Sequence, residues 1–123
     1  MAVIRIEADG VSDLSRVYLW LSRHRGQNLQ LDPNRRIAFG TPISGARAVI
    51  IAVALQDVDN PGFQLGGVVR AIASPTEAEP VRLVFEGRST AGLAPDKAQA
   101  LATQILDTIS EQVAVDELVE KVA

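Results

Sequence analysis

The chain has 123 residues, 47% of them hydrophobic and 22% charged, with a formal net charge of −3. That size and balance describe one globular domain able to bury its own core, and they exclude a disordered chain. Cysteine is absent, which rules out disulfides, thiolate catalysis, zinc–thiolate sites and iron–sulfur clusters, and the mild charge favours neither nucleic acid nor an anionic membrane.

Residues 3–8 alternate, with Val3 and Arg5 on one side and Ile4, Ile6 and Ala8 on the other. This period of two predicts a strand, which Asp9-Gly10 breaks. A charged, alternating start is not the pattern of a secretory leader. Ser12 or Asp13 then caps a helix running to about His24, because Leu14, Val17, Tyr18 and Leu21 recur at helical spacing. Arg23, His24 and Arg25 suit its last turn, and Gly26 suits the position just beyond. Leu29-Gln30-Leu31 and Ile37-Ala38-Phe39 flank the turn sequence Asp32-Pro33-Asn34, predicting short strands or an irregular hairpin.

Thr41-Pro42 has the form of a helix opening. From Ala46 to Leu55 every residue except Arg47 is apolar. Period alone does not separate a buried helix from a buried strand in such a run. The alanines and the upstream Thr-Pro favour helix, whereas Val49, Ile50, Ile51 and Val53 favour strand; helix is the reading adopted. Asp57 to Gly62 is a turn. A further helix is expected from about Pro61 to Ala73, with Leu65, Val68, Val69 and Ile72 inward. Ser74 to Pro80 is a polar loop, and Val81 to Gly87 alternates as a strand. Pro95 opens the last helix, where Ala98, Leu101, Ala102, Ile105, Ile109 and Val113 form one stripe.

These elements predict an α/β (α+β) two-layer sandwich, in which a sheet of three or four strands is covered by three or four helices. The expected domain covers residues 1–114. An acidic amphipathic tail follows over 115–123, with Leu118, Val119 and Val122 available for contact. No apolar run approaches the ~20 residues needed to span a bilayer.

Few residues suggest chemistry. His24 is the sole histidine, lies between two arginines, and has no nucleophile motif to serve. Asp57, Asp59 and Asn60 offer oxygen ligands for a hard cation, but the ordered ligand series of an EF-hand is absent. A turn rich in Asp and Asn explains the same residues. Gly62, Gly66 and Gly67 match neither the dinucleotide fingerprint nor the Walker loop. Arg16, Arg23, Arg25, Arg35 and Arg36 make the first third basic, as solvated charge or as a dock for an acidic partner. Trp20 sits between Leu19 and Leu21, so three large apolar residues point in different directions around one helix. Either the helix is buried on two sides or part of it is a contact surface, so Trp20 is read as core packing or as an interface anchor.

The resulting expectation is a cytoplasmic, non-catalytic protein-interaction module without cofactor or metal. It would bind a protein partner or itself through Arg16, Trp20, Arg23, Leu118, Val119 and Val122. Nucleic acid and membrane are disfavoured as partners. The rival is a small nucleotide- or metal-dependent enzyme built on Asp57 to Gly67, which requires residues 48–55 to be a strand. A self-assembling structural subunit is the third reading.

Ile4-Arg5-Ile6, Leu14 with Trp20-Leu21, the Gly40 to Ala73 region, and Val81 to Gly87 followed by a helix occur in an order that covers most of the chain. In that order the chain resembles the bacterial effector-associated constant component family, small proteins that accompany varied effectors in conflict systems. It departs from the family pattern at Ala71-Ile72-Ala73, where a further Trp-Leu would be expected. The resemblance implies a non-catalytic adaptor linking a sensor to an effector, and no catalytic residue carries over.

Overall fold

The computed structural model describes residues 3–10, 13–59, 63–73, 81–90 and 92–122. In chain order the elements are β1 (Val3–Asp9), α1 (Leu14–His24), β2 (Asn28–Asp32), β3 (Arg35–Phe39), β4 (Ile43–Ser44), β5 (Ala48–Asp57), β6 (Phe63–Ile72), β7 (Arg82–Ser89) and α2 (Pro95–Val122). The strands form one seven-stranded sheet in the order β1-β7-β6-β5-β3-β2, with β4 pairing on β5, and every pairing is antiparallel.

The expected small sheet with three or four helices is therefore corrected to a large sheet with two. Three segments account for the difference. Residues 43–44, downstream of Thr41-Pro42, are a short strand rather than a helical turn. The apolar run from Ala46 is β5, a ten-residue strand flanked by β3 and β4 on one side and β6 on the other. Residues 63–72 are β6, not a helix. The expected start of that helix at Pro61 lies outside the described residues, as do Ser12, the end of the Asp57 to Gly62 turn and the Ser74 to Pro80 loop.

The physical reasons can be read from the same residues. Two adjacent glycines, Gly66 and Gly67, inside a helix would cost about 1 kcal/mol each. In the strand Gly67 is required: a Cβ there would strike the Glu86 carbonyl oxygen and lie 2.6 Å from the Gly87 Cα on the neighbouring strand. The β-branched residues of β5 fit a pleated surface, and pairing on both sides satisfies a backbone that an all-apolar segment offers no side chains to cap.

Other local signals hold. Asp13 caps α1, its side chain accepting from the Ser15 amide at 2.9 Å, and Gly26 takes the positive φ (68°) that follows a helix end. Asp32 accepts from the Asn34 amide at 2.8 Å within the β2–β3 turn.

Both helices lie on one face of the sheet. Ile4, Ile37, Phe39, Val49, Ile51, Val53, Leu55, Leu65, Val69, Leu83 and Phe85 point towards them, and Val17, Trp20, Leu21, Leu101, Ile105, Leu106, Ile109 and Val113 close the core from above. α2 covers β1 and β7, while α1 lies over β5 and β6 and touches α2. The opposite face of the sheet carries no element among the described residues. No described helix is long and apolar enough to cross a membrane.

Candidate functional site

The two surfaces expected to make contacts are brought together by the fold. α1 and the end of α2 run antiparallel, clamped by ion pairs from Arg16 to Glu120 and from Arg23 to Asp116. Arg16 and Arg23 are seven residues apart on α1, and Asp116 and Glu120 are four apart on α2, so each pair of like charges lies on one helix face. The Glu120 hydrogen bond holds the Arg16 guanidinium above its ordinary range, with the charges of Glu120, Glu117 and Asp13 adding to it and the desolvation opposing it. That shift leaves the contact intact below the usual arginine range, and it is lost only at still higher pH.

Trp20, proposed as an anchor for a partner, is core. It is 2% exposed, stacks on His24 with ring centroids 4.1 Å apart, and meets Phe39 edge-on at 5.6 Å. His24 in turn sits 2.9 Å from the Trp20 carbonyl oxygen through Nδ1. The outward residues of α1 are instead Leu19, at 55% exposure, and Tyr18. The sequence held this signal in Leu19-Trp20-Leu21: three directions, of which two face the core. Leu14, Ser15, Tyr18 and Leu19 also line an open cleft against Ser44, Gly45, Ala46 and Val49.

The segment from Val115 continues α2 without a break, yet its character inverts. Up to Val113 the apolar stripe faces the sheet. At 100° per residue, Asp116 and Glu120 continue that inward stripe, whereas Val115, Leu118, Val119 and Val122 centre roughly 130° away from it. The acidic side meets the arginines of α1. The apolar side stays exposed, at 62% for Leu118 and 78% for Val122.

Around Asp57 the structure meets the rival's condition, since residues 48–55 are a strand. The strand is antiparallel, however, and enters a hairpin, so the crevice at the carboxyl ends of parallel strands does not arise. Asp57 accepts from the Asp59 amide at 3.0 Å through Oδ1 and from Gln64 Nε2 at 3.2 Å through Oδ2. Gln64 Oε1 accepts from Arg35 Nε, and Arg35 bridges to Asp32 at 3.3 Å. These groups tie the β2–β3 and β5–β6 hairpins together. Among the described residues no three of His, Cys, Asp and Glu are grouped to hold a metal ion.

No protein-family model and no curated protein matches the chain. Among solved structures it is similar to a conserved protein from Geobacillus kaustophilus, at 14% sequence identity and a TM-score of 0.45, over 89% of this chain and 92% of that one. A likeness at this level says nothing about activity.

Proposed function

We propose that the protein is a non-catalytic interaction module that docks a protein partner on the outward apolar stripe at the end of α2. The observation that supports this reading is the inversion at Val113–Val115. An ordinary surface helix ends with its polar side outward. Here the polar side is turned inward onto Arg16 and Arg23, and Val115, Leu118, Val119 and Val122 are held out to solvent by that pairing. Leu19 adds an exposed apolar residue on the neighbouring helix. A partner presenting an amphipathic helix would cover the stripe with its own apolar residues at i, i+3, i+4 and i+7. An adaptor of this kind is also what the resemblance noted above implies.

The test is affinity capture from the source organism with the wild-type chain and with the double variant Leu118→Glu/Val119→Glu, each checked for an unchanged circular dichroism spectrum. The reading expects a partner, identified by mass spectrometry, that the wild type retains and the variant loses. Identical captured sets from the two folded proteins would refute it.

A further inference from the structure

The uncovered face of the sheet supports a second inference, independent of the α2 stripe. In an antiparallel sheet with one solvated face, strands alternate apolar and polar, whereas strands buried on both faces read as continuous apolar runs. β5 reads as the second kind. Val49, Ile51, Val53 and Leu55 face the helices, and the other side carries Ala48, Ile50, Ala52 and Ala54.

Register extends this side across the sheet. Ile50 pairs with Ile43 of β4; Ala52 pairs with Val68, and Ala54 with Gly66, both of β6; Ala54 also pairs with Ala38 of β3; Ala48 pairs with Ile72. The result is a largely apolar field with relief, interrupted on β6 by Arg70, which pairs with Ile50. Ile43, Ile50 and Ile72 form a ridge at one end. Ala38, Ala54 and Gly66 form a low floor at the other, bordered by the exposed Phe63 ring, which lies 3.3 Å from where a Gly66 Cβ would be. A cavity of about 430 Å³ opens there, lined by Phe63, Gly66, Gly67, Gly87, Arg88 and Thr90 with Ser89.

From Arg70 on β6 across β7 to β1, the face carries charges that pair with one another. Arg70 meets Glu86 at 2.7 Å, Arg5 meets Glu7 at 2.8 Å and Glu86 at 3.7 Å, and Arg82 meets Glu7 at 3.9 Å.

We infer that this face packs against the same face of a second copy of the chain, forming a twofold sheet-on-sheet dimer. The relief of the face is complementary to itself. A twofold axis lying across the strands at Ala52 and Val68 reverses the strand direction, so it lays the isoleucine ridge of each protomer over the low floor of the other. Ile50 then meets Ala54 of the second copy, Ile43 meets its Ala38, and Ile72 enters the cavity beside its Phe63. A twofold interface requires one patch to fit itself in this way. Aligned sheets pack with their strands within about 30° of one another at ~10 Å separation, a spacing that alanines and glycines permit. The 47 strand residues, at ~3.3 Å rise and ~4.8 Å spacing, give the whole face roughly 750 Å², close to the ~800 Å² that one partner buries in a standard stable interface. The centre over β4 and β5 is apolar, and the charged side chains beside it on β6, β7 and β1 are paired within each protomer, Arg70 and Arg5 both meeting Glu86.

The experiment is light scattering after size exclusion on the full chain, with two variants at exposed positions of the face, Ile50→Lys and Ala52→Glu. The wild type is expected at twice the 13.1 kDa chain mass. Both variants are expected at the monomer mass with unchanged circular dichroism. Because the chain has no cysteine, Ala52→Cys provides a second measurement that leaves the face nearly unaltered. Near the axis the two thiols should be joined by a short bismaleimide, whose reach suits the ~10 Å separation of the sheets, while those of Leu118→Cys should not. A monomeric wild type would overturn the inference. So would a dimer that survives both face variants, and so would cross-linking through Leu118→Cys alone; the last result would place self-association on the α2 stripe.

Discussion

Trp20 shows how much one side chain decides. Its indole is packed between His24 and Phe39, joining α1 to the sheet. Trp20→Ala should therefore cost about 3–5 kcal/mol in urea unfolding, as expected for an aromatic truncated in a core. A comparable loss on substituting Leu19, its exposed neighbour, is not expected. Ser89 is the opposite case. It is 2% exposed, and its Oγ has no partner among the described residues. A buried hydroxyl left unpaired is destabilising, so Ser89→Ala should be neutral or raise stability by up to about 1 kcal/mol in the same measurement. Gly67→Ala should cost about 3 kcal/mol, because the new Cβ meets the backbone of β7 rather than a side chain that can move aside. Of these three, Trp20 and Gly67 stood out in the sequence, Gly67 only as part of a phosphate-loop pattern that it does not match. The demands on Ser89 and Gly67 come from strands distant in the chain.

Among the elements, α2 is two helices in function though one in backbone. Its first five turns are held by the core, and its end is held by charge across to α1. Exposed ion pairs contribute little to stability and are screened by salt. Raising the salt concentration to about 1 M, where the screening length falls to roughly 3 Å, should speed amide hydrogen exchange over residues 114–122 while leaving 98–113 protected. Uniform protection at both salt concentrations would mean that something other than the Arg16 and Arg23 contacts holds the segment. The raised Arg16 pKa sets the sign of the pH response at this clamp. A cation stabilised in the fold keeps its contribution below its unfolded pKa and loses it as pH rises through the folded value, which here lies above the usual arginine range. Moderate alkali should therefore leave the end of α2 in place through this group, which makes salt the informative perturbant.

At the scale of the whole molecule, the sheet has one covered face and one uncovered face. The uncovered face is apolar over β4, β5 and, apart from Arg70, β6, and the expected dimer follows from that asymmetry. Much of the fold was legible in the sequence. β1, α1 and α2 were placed because each buries one side only, so its period, two or 3.6, survives in the residue pattern; β7 keeps its alternation although Val84, on its other side, is buried as well. Asp13, Gly26 and the Asp32 turn were legible because caps and turns are satisfied by residues within a few positions of one another. Two of the six expected contact residues, Arg16 and Arg23, proved to be paired within the chain, and Trp20 proved to be core. Leu118, Val119 and Val122 are exposed, and Leu19 joins them. What the sequence by itself determined was thus each one-sided element and each local turn. Only the tertiary structure decided β5 and β6. A run that is apolar on both sides carries no period, and its choice between helix and strand is made by the partners that satisfy its backbone. For β5 those partners are β3, β4 and β6, supplied from both directions along the chain.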